Sequence, residues 1–136
     1  VRRGSRPSIT VSSGAGAREA PRITAFLGEL CGVPFPDDHG VELRAARRDT
    51  MLMGDQIRRA WEDFLAAETQ AQPVVLVLED LHWGDLPSVR LVDDALRALG
   101  ERPFLALATG RPELRQVFPN LWGERHLLEL RLGGLS

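Results

Sequence analysis

Two acidic side chains, Glu79 and Asp80, directly follow a run of five apolar residues. A second apolar run further along the chain is followed by a hydroxyl side chain, Thr109, and then by Arg111. Carboxylate oxygens are ligands that Mg²⁺ prefers, and an acid can also orient an attacking water. Arginine offers a fork of N–H donors that matches phosphate oxygens and stays charged. If the fold brings these residues together, they are suited to binding a metal–phosphate ligand.

The elements before these residues predict that they do meet. The apolar runs at 74–78 and 104–108 are typical of strands buried on both faces of a parallel sheet. The segment between them has apolar residues at helical spacing and a stop signal at Gly100. This order is a βαβ unit, so the predicted fold class is α/β with a parallel sheet covered by helices on each side. Ligands of such sheets bind beyond the carboxyl ends of the strands.

Other segments complete the predicted organisation. Residues 1–18 are rich in Gly, Ser and Arg and are predicted to be poorly ordered, with one strand-like stretch at 9–11. Helices are predicted over 20–31 and around 53–65, the second capped by Asp49 or Thr50. Asp85 is predicted to cap the helix between the two apolar runs. A short helix ending at Phe118 and a third strand over 127–132 are also predicted.

Composition narrows the function classes. Of 136 residues, 43% are apolar and 26% charged, which is typical of a globular domain. The net charge of −2 gives no support to a nucleic-acid or anionic-membrane partner, and no apolar run is long enough for a membrane span. The single cysteine, Cys31, excludes an internal disulfide and is expected to be buried or half-buried. These features predict a soluble, cytoplasmic protein.

All 17 basic residues are arginine, so the chain has no lysine. Lysine nucleophiles, Schiff bases and the phosphate-binding lysine of a P-loop are therefore excluded. The three histidines lie too far apart in sequence to show a metal-ligand spacing. His39 and His126 are expected to be exposed, and His82 to have a structural or capping role. Three aromatic residues at helical apolar positions are expected in the core: Phe26, Trp61 and Phe64.

Two strings of sequence carry a resemblance to a known family. They are PVVLVLEDLHWGD at 73–85 and RPFLALATGRPEL at 102–114. Together they resemble the AAA-related ATPase modules of the STAND class, the signal-transduction ATPases with numerous domains. Such modules occur in bacterial regulators fused to serine/threonine protein kinases, nucleotide cyclases or DNA-binding domains, and the kinase-fused kind is the most similar. The resemblance implies a P-loop NTPase-like core that binds Mg-ATP and acts as a nucleotide-dependent switch.

The resemblance also implies a role for each residue at the strand ends. Glu79 matches the magnesium-associated acid of the Walker B motif, and Asp80 the acid that activates or positions water and contacts the metal. Arg111 matches the sensor arginine that contacts nucleotide, with Thr109 beside it. A shift of one residue in the match would exchange the roles of the two acids.

The Walker A motif of this family is missing from the sequence. The only glycine-rich candidate, residues 12–17, lacks the lysine and the Ser/Thr that a phosphate-binding loop needs. Residues 19–136 are therefore expected to be a partial ATPase domain, truncated at both ends and unlikely to hydrolyse ATP alone. Its expected partners are the remainder of the domain and a fused kinase or output domain.

The sequence is also compatible with two alternatives. The chain would fit a non-catalytic protein-interaction domain derived from such an ATPase, with self-association through exposed sheet edges. It would also fit a small α/β protein in which the acidic strand end is incidental.

Overall fold

The computed structural model describes residues 19–36 and 40–133. The described elements are, in chain order, α1 (Ala20–Leu30), α2 (Val41–Ala46), α3 (Thr50–Ala71), β1 (Val74–Leu78), a 3₁₀ turn (Leu81–Trp83), α4 (Leu86–Leu99), β2 (Phe104–Ala108) and α5 (Leu114–Val117). This mixed helix and strand structure, with a two-stranded parallel sheet, is compatible with the predicted α/β class. Across these ranges, no helix is long and apolar enough to cross a membrane. The predictions for residues 1–18 and for His39 lie outside the described residues.

The first three helices form one layer around a shared core. Asp49 caps α3 as predicted, because its carboxylate accepts hydrogen bonds from the backbone N–H groups of Met51 and Leu52, at 2.9 and 3.1 Å. Buried residues from all three helices form the centre of this layer: Ala25, Phe26, Leu43, Ala46 and Ala60. Phe26 is therefore in the core as predicted, and Trp61 and Phe64 are partly buried against a neighbouring cluster.

Helix α2 has no counterpart in the sequence-based prediction. It is six residues long and buries only Leu43 and Ala46, which is too little to produce a readable helical period. Tertiary contacts hold it in place. The Arg47 guanidinium at its carboxyl end donates to a carboxylate oxygen of Glu29 and to the carbonyl of Phe35, both at 2.6 Å. Cys31, expected to be buried or half-buried, is exposed because it follows the last turn of α1.

The parallel sheet and its crossover helix form the second layer. The strands pair in register from Val74 opposite Phe104 to Leu78 opposite Ala108. Asp85 caps α4 as predicted, accepting a 2.7 Å hydrogen bond from the backbone N–H of Ser88. Buried side chains pack between α4, the strands and the segment after β2: Leu81, Val89, Val92, Phe118 and Trp122. The two layers meet where α3 packs against α4 and the amino ends of both strands.

One face of the sheet is uncovered in the described chain, so the prediction of strands buried on both faces is wrong there. Val75, Val77, Leu105 and Leu107 form this open sheet face, and each is between 50% and 59% exposed. The physical reason is that α4 covers the opposite face, whereas α3 packs beside α4 and the amino ends of the strands, and α1 and α2 pack on α3 rather than on the second face of the sheet. Four branched apolar side chains in two adjacent strands are therefore left facing outward.

The predicted third strand is also wrong for the part of the chain that the structure describes. Residues 127–132 carry no strand, and Leu128, Leu130 and Leu132 are strongly exposed. An alternating pattern indicates a strand but does not supply its partner, and β1 and β2 pair only with each other. Glu129 of this segment forms an ion pair with Arg115, which lies just after the start of the predicted short helix α5.

The cap of α4 gives a pH-dependent prediction. Hydrogen bonds from the side chain and the backbone N–H of Ser88 lower the pKa of the Asp85 carboxyl. A folded-state pKa below the unfolded value of about 3.9 means that this stabilisation is fully present above about pH 5 and is lost as pH falls through the lowered pKa. We expect Asp85→Ala to lower the melting temperature at neutral pH, with the difference from wild type shrinking in acid. Circular dichroism melts across a pH series measure this difference.

The matched control is Asp85→Asn, which keeps a capping oxygen without a titratable group. Its melting temperature relative to Asp85→Ala should not change with pH. A difference in melting temperature between wild type and Asp85→Ala that stays constant in acid would contradict the role of the ionised Asp85 carboxylate as the cap of α4.

Candidate functional site

The candidate site lies where both strands end. We define the strand-end rim as residues 79–82 and 109–111. The ladder of the sheet continues into this rim, because the Thr109 N–H donates to the Leu78 carbonyl and the Leu81 N–H donates to the Thr109 carbonyl, both at 2.9 Å. The pairing of the strands thus brings the segment that contains both acids beside the segment that contains Thr109 and Arg111.

Asp80 has the most unusual backbone of the rim. Its φ of 52° and ψ of 41° lie in the left-handed region, which costs most residues roughly 1–2 kcal/mol and which Asp tolerates better than most. Its N–H donates to Thr109 Oγ1 at 3.3 Å, so the predicted Thr109 contacts Asp80 through its side chain. The Asp80 carboxylate is 76% exposed and is accessible to a ligand. Strained backbone of this kind tends to occur at functional sites.

Arg111 is joined to the same turn through its backbone. Its N–H donates to Nδ1 of His82 at 3.5 Å, a long hydrogen bond, and the same Nδ1 lies 3.9 Å from Oδ1 of Asp80. Glu79 and Arg111 are both exposed. Within residues 19–36 and 40–133, no ion pair links Arg111 to either acid, so the rim presents acidic and basic groups side by side without pairing them.

The sequence did not predict that His82 contacts the backbone of Arg111. Its side chain is only 8% exposed, and its Nε2 is buried without a hydrogen-bond partner among the described residues. The sequence string contains His82 next to Trp83, but its link to a residue 29 positions away depends on the strand register. Because Nδ1 accepts from the Arg111 N–H, the N–H of the ring is assigned to Nε2. An unsatisfied buried donor costs about 1–3 kcal/mol.

The donor set of the rim fits one side of a Mg-ATP site. Two exposed carboxylates and a hydroxyl offer the hard oxygen ligands that Mg²⁺ requires, and Arg111 offers N–H donors suited to phosphate. No group of three or more His, Cys, Asp or Glu side chains close enough to bind a metal ion is found in the described ranges. This does not conflict with magnesium chemistry, since Mg²⁺ is usually held by one or two carboxylates together with substrate phosphates and water.

Comparison with protein-family models, with curated proteins and with solved structures finds no match to this chain. Its function must therefore be inferred from the residues and geometry of the rim, together with the resemblance of the two strand-end strings.

The left-handed backbone of Asp80 gives a prediction that separates strain from charge. Replacing Asp80 by Ala should lower the free energy of unfolding by about 1 kcal/mol, because a Cβ-bearing residue without a local polar group is disfavoured at positive φ. Asp80→Asn should be close to wild type, since Asn tolerates this region. Urea denaturation of the two variants measures the difference.

Glu79→Ala is the control, because Glu79 is also an exposed acid but has no positive φ. Its effect should lie within about 0.5 kcal/mol of wild type. Equal stability of Asp80→Ala and Asp80→Asn would contradict the strained backbone.

Proposed function

We propose that this chain is the Walker B and sensor portion of an ATP-binding signalling ATPase module, a nucleotide-dependent switch in a kinase-fused or transcription-regulator-type bacterial protein. The observation that carries the proposal is the hydrogen-bonded rim, in which Asp80, Thr109 and the backbone of Arg111 are held together at the carboxyl ends of two parallel strands. Ligands of open parallel sheets bind at this edge.

Each rim residue has a distinct chemical task in this proposal. Glu79 and Asp80 would hold Mg²⁺ that arrives with the nucleotide, and Asp80 would also orient an attacking water. When bound, Mg²⁺ would neutralise charge on the phosphates. The Arg111 guanidinium would donate to the terminal phosphate, and Thr109 would fix the Asp80 backbone through its hydroxyl.

This arrangement supports the proposed switch. Arg111 and the turn containing Asp80 are linked by hydrogen bonds, so a change at the terminal phosphate would reach both segments. The chain contains no lysine, so the phosphate-binding lysine of the site would come from further polypeptide. The open sheet face supports this view, since parallel sheets are normally covered on both faces. The remainder of the ATPase domain and a fused kinase or output domain are the partners proposed, in the cytoplasm.

Mg-ATP titration of the ¹⁵N-labelled chain tests the proposal. Without a complete phosphate cradle the affinity should be weak, in the millimolar range, because backbone N–H groups and the P-loop lysine supply much of the phosphate affinity. We expect the amide signals that move to be those of Asp80, Thr109 and Arg111. Arg111→Ala should weaken binding about fivefold or more, consistent with losing roughly 1 kcal/mol of charge-assisted hydrogen bonding.

Matched variants separate site binding from general charge effects. Arg90→Ala removes an exposed arginine from α4 and should leave the titration unchanged. Asp80→Asn should reduce the dependence of binding on Mg²⁺, whereas Glu101→Gln, at the other end of β2, should not. Micromolar affinity, or signal changes away from the rim, would contradict the proposal.

A second candidate function is favoured by the open sheet face. In this view the chain is a non-catalytic protein-interaction domain derived from such an ATPase. Two strands with both edges unpaired in the described chain, and four apolar side chains exposed on one face, are suited to contact with another protein or with a second copy.

Light scattering coupled to size-exclusion chromatography distinguishes this candidate. If it is correct, the wild-type chain should form a defined oligomer, and the double variant Val77→Lys and Leu107→Lys should be monomeric, because charged ammonium groups resist burial. Val117→Lys introduces the same group at a similarly exposed position away from the sheet and serves as the control. A wild-type monomer at all concentrations would contradict self-association.

A further inference from the structure

His82 combines two properties that are costly together. Its side chain is nine-tenths buried, and one of its two ring nitrogens has no hydrogen-bond partner among the described residues. An apolar side chain of similar size would avoid that unsatisfied donor. Stability alone therefore does not account for a histidine at this position. The contacts of its other nitrogen, Nδ1, offer a reason for it.

Among the described residues, the other nitrogen makes the one side-chain hydrogen bond that reaches Arg111 from the turn containing Asp80. Nδ1 accepts from the Arg111 N–H at 3.5 Å and lies 3.9 Å from Oδ1 of Asp80. Thr109, two residues before Arg111, also links the same turn to the end of β2, because its Oγ1 accepts from the Asp80 N–H at 3.3 Å. Beyond Thr109 and Gly110 the sheet ladder has ended, so the backbone of Arg111 depends on His82 for its hydrogen bond to this turn.

We propose that His82 is a positioning residue that fixes the backbone of Arg111 to the 3₁₀ turn and so keeps the arginine and Asp80 on one rim. Its role in ligand binding rests on the nucleotide function proposed above, but its effect on the Arg111 backbone does not. His82 itself touches no reacting atom in this scheme. It acts by limiting the conformations of Arg111 before a phosphate arrives.

Long-range ¹H–¹⁵N spectra of the His82 ring in the unmodified chain give the first test. We expect the tautomer with the proton on Nε2 and with Nδ1 as acceptor. A proton on Nδ1 would overturn the proposal, because that nitrogen would then be unable to accept from Arg111.

A pair of similarly shaped substitutions gives the second test. Asn and Leu branch at the same atom, but only His82→Asn keeps an acceptor near the position of Nδ1. The Arg111 amide should exchange with solvent about tenfold faster in His82→Leu than in wild type, since an open hydrogen bond removes local protection. In His82→Asn the rate should stay close to wild type. Urea denaturation should show His82→Leu at least as stable as His82→Asn. Faster exchange of the Arg111 amide in His82→Leu would then not result from a loss of global stability.

Nucleotide titration of the same variants gives the third test. His82→Leu should weaken Mg-ATP binding, as Arg111→Ala does, and His82→Asn should restore it. Equal amide exchange in both variants would overturn the positioning role, whether or not nucleotide binds. If the amide result holds but wild type binds no Mg-ATP, the proposed function fails and the positioning of Arg111 stands.

Discussion

The in-register parallel pairing of β1 and β2 is the constraint on which the rest of this structure depends. Each strand is only five residues long, and an isolated pair of strands is at best marginally stable in water. The pair persists because α4 covers one face and the helical layer of α1–α3 packs against α4 and the amino ends of the strands. In turn, the register determines which residues face each other beyond the last paired positions, Leu78 and Ala108.

The same pairing explains why the candidate site and the open sheet face occur together. Side chains of a strand alternate between its two faces, so covering Leu76, Leu78, Ala106 and Ala108 with α4 leaves the intervening residues outward. The rim lies at one end of this half-covered sheet. A partner that covered the open sheet face would therefore lie next to the candidate site, which would suit a switch whose state is transmitted to another domain.

Much of the fold could be predicted from the sequence, because the helices, caps and strands depend on local patterns. Asp49 and Asp85 are recognisable caps, and the two apolar runs are recognisable strands. The sequence could not predict the features that depend on which segments pack or pair with each other in the fold. Residues 127–132 have a strand pattern without a neighbouring strand, and α2 is short enough that burial rather than periodicity defines it.

The candidate site was predictable to a similar extent. The positions of Glu79, Asp80, Thr109 and Arg111 at strand ends follow from sequence, since parallel neighbours share one edge. The contacts that connect them do not, because the left-handed backbone of Asp80 and the link between His82 and Arg111 arise from the turn geometry and the register. A histidine inside an otherwise apolar and acidic string is a signal that can be noticed, but its partner 29 residues away cannot be read from it.

Trp83, which follows His82 in the sequence, differs from the other two tryptophans in its exposure to water. Trp83 is 79% exposed, whereas Trp122 is buried with its Nε1–H donating to the Val89 carbonyl at 3.1 Å, and Trp61 is partly buried against the cluster between α3 and α4. The Trp83 indole also lies against the imidazole of His82, with ring centroids 5.2 Å apart. The three indoles therefore occupy environments of different polarity, and the water-exposed one stands beside Asp80. A water-exposed indole emits at longer wavelength than a buried one, so Trp83 is expected to supply the red-shifted part of the tryptophan emission from a position directly next to the rim.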